Sequence, residues 1–221
     1  VYKYIGLENG LSNQKIYYIQ KDRRGYMWFL TQEGVDRYDG KYIKHYNFSD
    51  DSIKLDSRIA LNWLYMDSGN ILWVIGQKGR IFRYDSQHDK FKLAYIHPEL
   101  IRNKPQAFLN YGYLDKNDRI WLCYKDSITW YDIRTGTTLH MPTPVNGEIT
   151  AIEQTDSNHF FIGTGNGLFH AGIEKGKLNI MPDKMVEGIS TSVHELYYHA
   201  VSKQLFVGNY KEGILIYDVG K

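Results

Sequence analysis

The chain has 221 residues, of which 43% are hydrophobic and 24% charged, with a formal net charge of +2. That is the balance of a globular domain able to bury a core, which excludes a disordered chain, and the scattered basic residues form no nucleic-acid face. No stretch reaches the roughly 18 to 20 apolar residues of a membrane helix, and Val1–Gly10 lacks the apolar core of a signal peptide, so any such segment was removed or lies outside this chain. Cys123 is the only cysteine, which rules out an intrachain disulfide and a cysteine-based zinc site.

Val1–Ile5 reads as a lone strand. From Ile16 a phrase begins that is written five times: an apolar run, an Asp-led turn, an aromatic anchor, a small residue or Thr, a Gly, then Tyr-Asp. It reads IYYIQKDRRGYMWFLTQEGVDRYD from Ile16, LNWLYMDSGNILWVIGQKGRIFRYD from Leu61 and LNYGYLDKNDRIWLCYKDSITWYD from Leu109. Weaker copies, ITAIEQTDSNHFFIGTGNGLFHA from Ile149 and VHELYYHAVSKQLFVGNYKEGILIYD from Val193, put Phe161 and Phe206 in the places of Trp28, Trp73 and Trp121. The anchors recur 45, 48, 40 and 45 residues apart, the period of a β-propeller blade.

Within each repeat the period is two. Asp22–Gly25, Asp67–Asn70 and Asp115–Asp118 are tight turns joining a first strand to a second. Gly34, Gly79, Gly167 and Gly213 mark the second turn. The fourth strands are predicted at Tyr42–Tyr46, Lys90–Tyr95, Thr137–Met141 and Lys177–Met181, making each repeat a four-stranded antiparallel meander. The blades are expected over residues 11–46, 55–95, 106–141, 148–181 and 190–221 of a single all-β propeller segment, with 1–5 as a closing strand. Either five blades close this way or the chain is part of a larger, seven-bladed ring. The connectors Ser49–Arg58, His97–Gln106, Thr143–Gly147 and Asp183–Ser190 run along one rim.

Trp28, Trp73 and Trp121 hold a fixed place in the second strand, so they are assigned to packing between blades, and Cys123 to a small buried apolar role. Binding residues are sought in the rim positions that do not repeat. Arg58 and Trp63 on the second inner strand, with Gln32, Glu33, Gln77, Lys78, Lys125, Asn166, Tyr210 and Lys211 in the turns between second and third strands, offer hydrogen bonds and a ring to a sugar or acidic oligosaccharide.

Catalysis is not expected. A glycoside hydrolase needs two carboxylates presented from different inner strands, and although Glu148, Glu153 and Glu195 lie on or beside such strands, the first three inner strands carry none. Gly163–Gly167 imitates a phosphate loop but continues as a strand. His194 and His199, five apart, face opposite sides and cannot share a metal. No cofactor or metal is expected.

The segment Gly6–Asn47 resembles the opening of the two-component-regulator propeller, found in periplasmic sensor regions of hybrid two-component systems, mainly of gut Bacteroidetes. Gly10-Leu11-Ser12-Asn13, Asp22, Gly25, Trp28, Thr31, Gly34 and Tyr38-Asp39 fall where that repeat has them. The second unit matches nearly as well and later ones progressively less. The third has Ser127 for the turn Gly, and the fifth His199 for the turn Asp. The resemblance implies a non-catalytic, periplasmic segment of a sensor histidine kinase anchored in the inner membrane, acting in signal transduction and phosphorelay in response to oligosaccharides. It also implies a homodimer, with a second propeller and an immunoglobulin-like domain as partners and no direct nucleic-acid contact by this segment. The alternative is a stand-alone carbohydrate-binding or glycoside-hydrolase propeller.

Overall fold

A computed structural model describes residues 2–48, 60–98, 108–186 and 189–219. The chain forms two compact units, residues 1–107 and 108–221, and both are built from the antiparallel blades of a β-propeller. In the first unit one sheet runs β1 (Ile16–Lys21), β2 (Met27–Thr31), β3 (Gly34–Tyr38), β4 (Ile43–Tyr46), and the next β5 (Leu61–Met66), β6 (Leu72–Gly76), β7 (Arg80–Asp85), β8 (Lys90–Tyr95). The second unit has β9 (Tyr111–Leu114), β10 (Arg119–Cys123), β11 (Ser127–Asp132), β12 (Thr138–Pro142), then β13 (Ile149–Gln154), β14 (His159–Thr164), β15 (Gly167–Glu174), β16 (Lys177–Met185). Its last sheet has three strands, β17 (Val193–His199), β18 (Gln204–Asn209) and β19 (Gly213–Asp218).

The predicted fourth strands are present as β4, β8, β12 and β16. Tyr2–Ile5 differs from its reading as a strand: it lies outside every sheet, and the chain instead enters the first blade through a 3-10 turn at Leu7–Asn9 closed by left-handed Gly10. Of the predicted connectors, residues 49–58, 99–106 and 187–188 lie outside the described residues.

The core of each unit lies between blades. Trp28, Leu30 and Val35 of the first blade pack on Leu64, Leu72, Val74 and Phe82 of the second. In the second unit Trp121, Cys123, Ile128 and Trp130 pack on Ile149, Ile152, Phe160 and Ile162, while Ala151, Phe161 and Leu168 pack on Val193, Leu196, Leu205 and Val207. The second strands of the first four blades are therefore covered on both faces, which accounts for the near-continuous apolar runs in sequence.

The repeated aspartate has a second role beyond its turn. In the first blade Asp22 accepts the Arg24 and Tyr26 N–H groups at 2.9 and 3.0 Å on Oδ1, and the Trp28 indole N–H at 3.0 Å on Oδ2. Asp67 accepts Ile71 N–H and Trp73 Nε1–H at 2.7 and 2.8 Å. Asp115, with its side chain fully buried, accepts Asn117 and Arg119 N–H at 2.9 Å, Arg119 Nε–H at 2.7 Å and Trp121 Nε1–H at 2.8 Å. An indole buried between sheets must satisfy its N–H, and a carboxylate six residues earlier does so. Where Phe161 replaces Trp, Thr155 stands at that spacing.

Candidate functional site

At the second turns, the first unit holds its candidate site. Thr31 shapes the β2–β3 turn by accepting the Glu33 N–H at 3.1 Å and donating to the Gly34 carbonyl at 3.2 Å. The Gln32 N–H then bonds the Lys15 carbonyl at 3.2 Å, and the Gln77 N–H the Ala60 carbonyl at 2.7 Å. These backbone ties hold both glutamines at the mouths of their blades. Between them opens a cleft of about 300 Å³ lined by Tyr17, Gln32, Ala60, Leu61, Asn62 and Gln77. Among the described residues its lining includes no carboxylate or amine. Three side-chain amides, each able to donate and accept, converge beside a half-exposed tyrosine ring, a chemistry suited to hydroxyl groups and a ring face.

Of the sequence-predicted residues, Gln77 and Gln32 are thus brought together, and Lys78 follows in the same turn with a left-handed backbone at φ 64°. Trp63, expected to offer its ring at the rim, is instead only 8% exposed within β5. Its place opposite Ile75 in the sheet makes it part of the packed interior. Arg58 lies outside the described residues. In the second unit Lys125, Asn166, Tyr210 and Lys211 are exposed on the second turns of successive blades, and Tyr210 packs against His194 with ring centroids 3.8 Å apart. Tyr17, Ala60, Leu61 and Asn62 were not singled out from the sequence. The signal was there in Tyr17 and Asn62, polar and aromatic residues early in inner strands.

The glutamates weighed for hydrolysis lie in the second unit. Burial pushes Glu153 on β13 up to about 6, with the Glu195 charge adding, against Lys116 and the Tyr198 N–H, which lower it. Glu195 is likewise raised by burial. Burial pushes the Cys123 thiol up as well, so it is held protonated and inert. Among the described residues no cluster of three His, Cys, Asp or Glu side chains forms a metal site, and no helix is long and apolar enough to cross a membrane.

Antiparallel blades with buried tryptophans tied to aspartates define a β-propeller, and the first unit carries a polar cleft at its second turns. Residues 10–33, in the first repeat, match the family model described as two component regulator propeller. No curated protein sequence matches the chain.

Among solved structures the chain is similar to the extracellular domain assigned to a hybrid two component system of B. thetaiotaomicron, with TM-score 0.65 and 19% identity over 98% of this chain and 35% of that one. A second extracellular domain from B. thetaiotaomicron, also assigned to a hybrid two component system, gives TM-score 0.55 and 14% identity over 90% of this chain and 33% of the other. PorZ, a surface component of the type-IX secretion system of Porphyromonas gingivalis, gives TM-score 0.66 and 13% identity over 91% and 32%. The chain thus spans about a third of the length of each. Likeness at these identities establishes the fold.

Proposed function

We propose that the chain is a non-catalytic, periplasmic ligand-sensing segment of a hybrid two-component sensor histidine kinase, and that it recognises an oligosaccharide. The two-component-regulator repeat in the first blade carries this reading. The rim cleft supports its ligand class: amides of Gln32, Asn62 and Gln77 bond hydroxyls in both senses, and Tyr17 offers a ring face. The scarcity of carboxylates on the first three inner strands supports a binding role over hydrolysis. In the parent protein, a second propeller, an immunoglobulin-like domain and dimerisation would turn binding into a signal, since a ligand moves such an equilibrium only through its differential affinity for two states.

A thermal-shift screen of neutral and acidic oligosaccharides against the protein tests the reading. Binding by at least one neutral oligosaccharide, weakened tenfold or more by Gln77→Ala or Asn62→Ala with unchanged thermal stability of the free protein, is the expected result. Uniformly null shifts would sink the ligand reading, and turnover of any glycan would sink the non-catalytic one.

A further inference from the structure

The first unit carries a second cleft, of different chemistry, at its opposite turns. It holds about 190 Å³ and is walled by Tyr26, Tyr84 and the edge of Trp28, with Arg24 and Arg37 reaching into it and Asp22 at its margin. At about 30 Å³ per liquid water the space equals that of roughly six waters, room for one six-membered ring and a substituent.

Charge in the cleft is unbalanced. Arg37 Nη1 donates to the Tyr84 hydroxyl at 2.8 Å and to Asp89 Oδ1 at 2.9 Å, and Nη2 reaches Asp89 Oδ2 at 3.5 Å. Of the five guanidinium N–H groups, these leave Nε–H and one Nη2–H uncommitted. The Arg37 guanidinium carbon lies 4.8 Å from the Tyr26 ring centre and 5.4 Å from that of Trp28, so the group is fixed without being used up. The Arg24 guanidinium makes no hydrogen bond or ion pair among the described residues, while its backbone N–H is held by Asp22. The Asp22 carboxylate is already occupied by two backbone N–H groups and the Trp28 indole, and Asp89 is shared between Arg37 and Lys44. Among the described residues lining the cleft, Arg24 and Arg37 thus face Asp22 alone, beside Tyr26 and Tyr84.

We propose that this cleft binds a carboxylate carried on a six-membered ring. The ring lies between Tyr26 and Tyr84, and its carboxylate takes a forked pair of hydrogen bonds from Arg24 and one from the free N–H of Arg37, the geometry guanidinium groups favour. The site is independent of the amide cleft and of the reading built on it. A sugar acid and an aromatic acid share this chemistry.

Isothermal titration of the chain with glucuronate, benzoate, methyl glucoside and sulfate separates the cases. At least one of the two ring acids binds, tenfold or more tighter than methyl glucoside and sulfate, and the better of the two identifies the source. Arg24→Gln lowers that affinity at least tenfold with no change in melting temperature, because the Arg24 side chain is exposed and supports nothing in the fold. Gln77→Ala leaves it unchanged. Sulfate binding as well as the better ring acid, neither acid binding at millimolar concentration, or Arg24→Gln binding like the parent overturns the assignment.

Discussion

At the scale of single residues, the repeated tryptophans are defined by their aspartates. Burying an indole between sheets gains apolar contact but strands its N–H, and the carboxylate six residues earlier serves that donor and the turn at once. Removing a buried charged acceptor exposes every donor it held, at about 1 to 3 kcal/mol per group, less whatever water can repair. Asp115→Ala is therefore expected to lower stability by about 2 to 4 kcal/mol, read as a shift in the urea midpoint at unchanged slope. A loss below about 0.5 kcal/mol would mean that the turn and the indole are satisfied some other way. Glu153 makes the opposite case. Its pKa is raised from the ordinary 4.5 to about 6 by burial, so its contribution to stability is intact below pH 4.5 and lost as pH rises through 6. Glu153→Gln should match the parent protein near pH 4 and be more stable near pH 7.5 by about 1 kcal/mol, after allowing for partial exposure. Equal melting temperatures across that range would show that the carboxylate is solvated.

At the scale of elements, strand positions were largely legible because the phrase that repeats is the phrase that folds. Trp, Gly and Tyr-Asp punctuate each blade, and the predicted Lys90–Tyr95 matches β8 to the residue. The cleft residues were only partly legible, because a site built from side chains of two blades has no period to betray it: Gln77 was visible as a turn residue, Asn62 was not. Trp63 looked like a rim ring because position along a strand does not say which face a bulge turns inward, and the β5–β6 register shifts between Leu61 and Trp63. How closely blades approach was equally hidden. A methyl group on Gly163 would stand 2.5 Å from Val193 Cγ1, 2.9 Å from Val193 Cβ and 3.3 Å from Ala151 Cβ, so the fourth and fifth blades meet there because the residue has no side chain. Gly163→Ala is expected to destabilise by about 1 to 3 kcal/mol through overpacking, and Val193→Ala in the same chain should return part of that loss. Gly165→Ala, with open space around it, serves as the control. Additive effects of the Gly163 and Val193 substitutions would contradict the contact.

At the scale of the whole molecule, what matters is the surface that blade packing leaves uncovered. One face of the β17–β19 sheet packs on the fourth blade through Leu196, Leu205 and Val207. On the other, the register sets Tyr197, Phe206 and Ile216 in one row and Glu195, Gly208 and Ile214 in the next. Tyr197, Ile214 and Ile216 are 60%, 71% and 59% exposed, and among the described residues no strand pairs with the outer edge of β19, so apolar side chains and an open strand edge coincide. A flat apolar face with an open edge is a template for association. The chain should therefore self-associate with rising concentration, seen as an increasing weight-average mass in sedimentation equilibrium. Ile214→Lys with Ile216→Lys places two charges on that face and edge, and should return the mass to that of a monomer at every concentration without lowering the melting temperature, because neither side chain is buried in the core. A monomeric parent protein at high concentration would show that this sheet is protected within its own chain, and an oligomer indifferent to the two lysines would place the contact elsewhere.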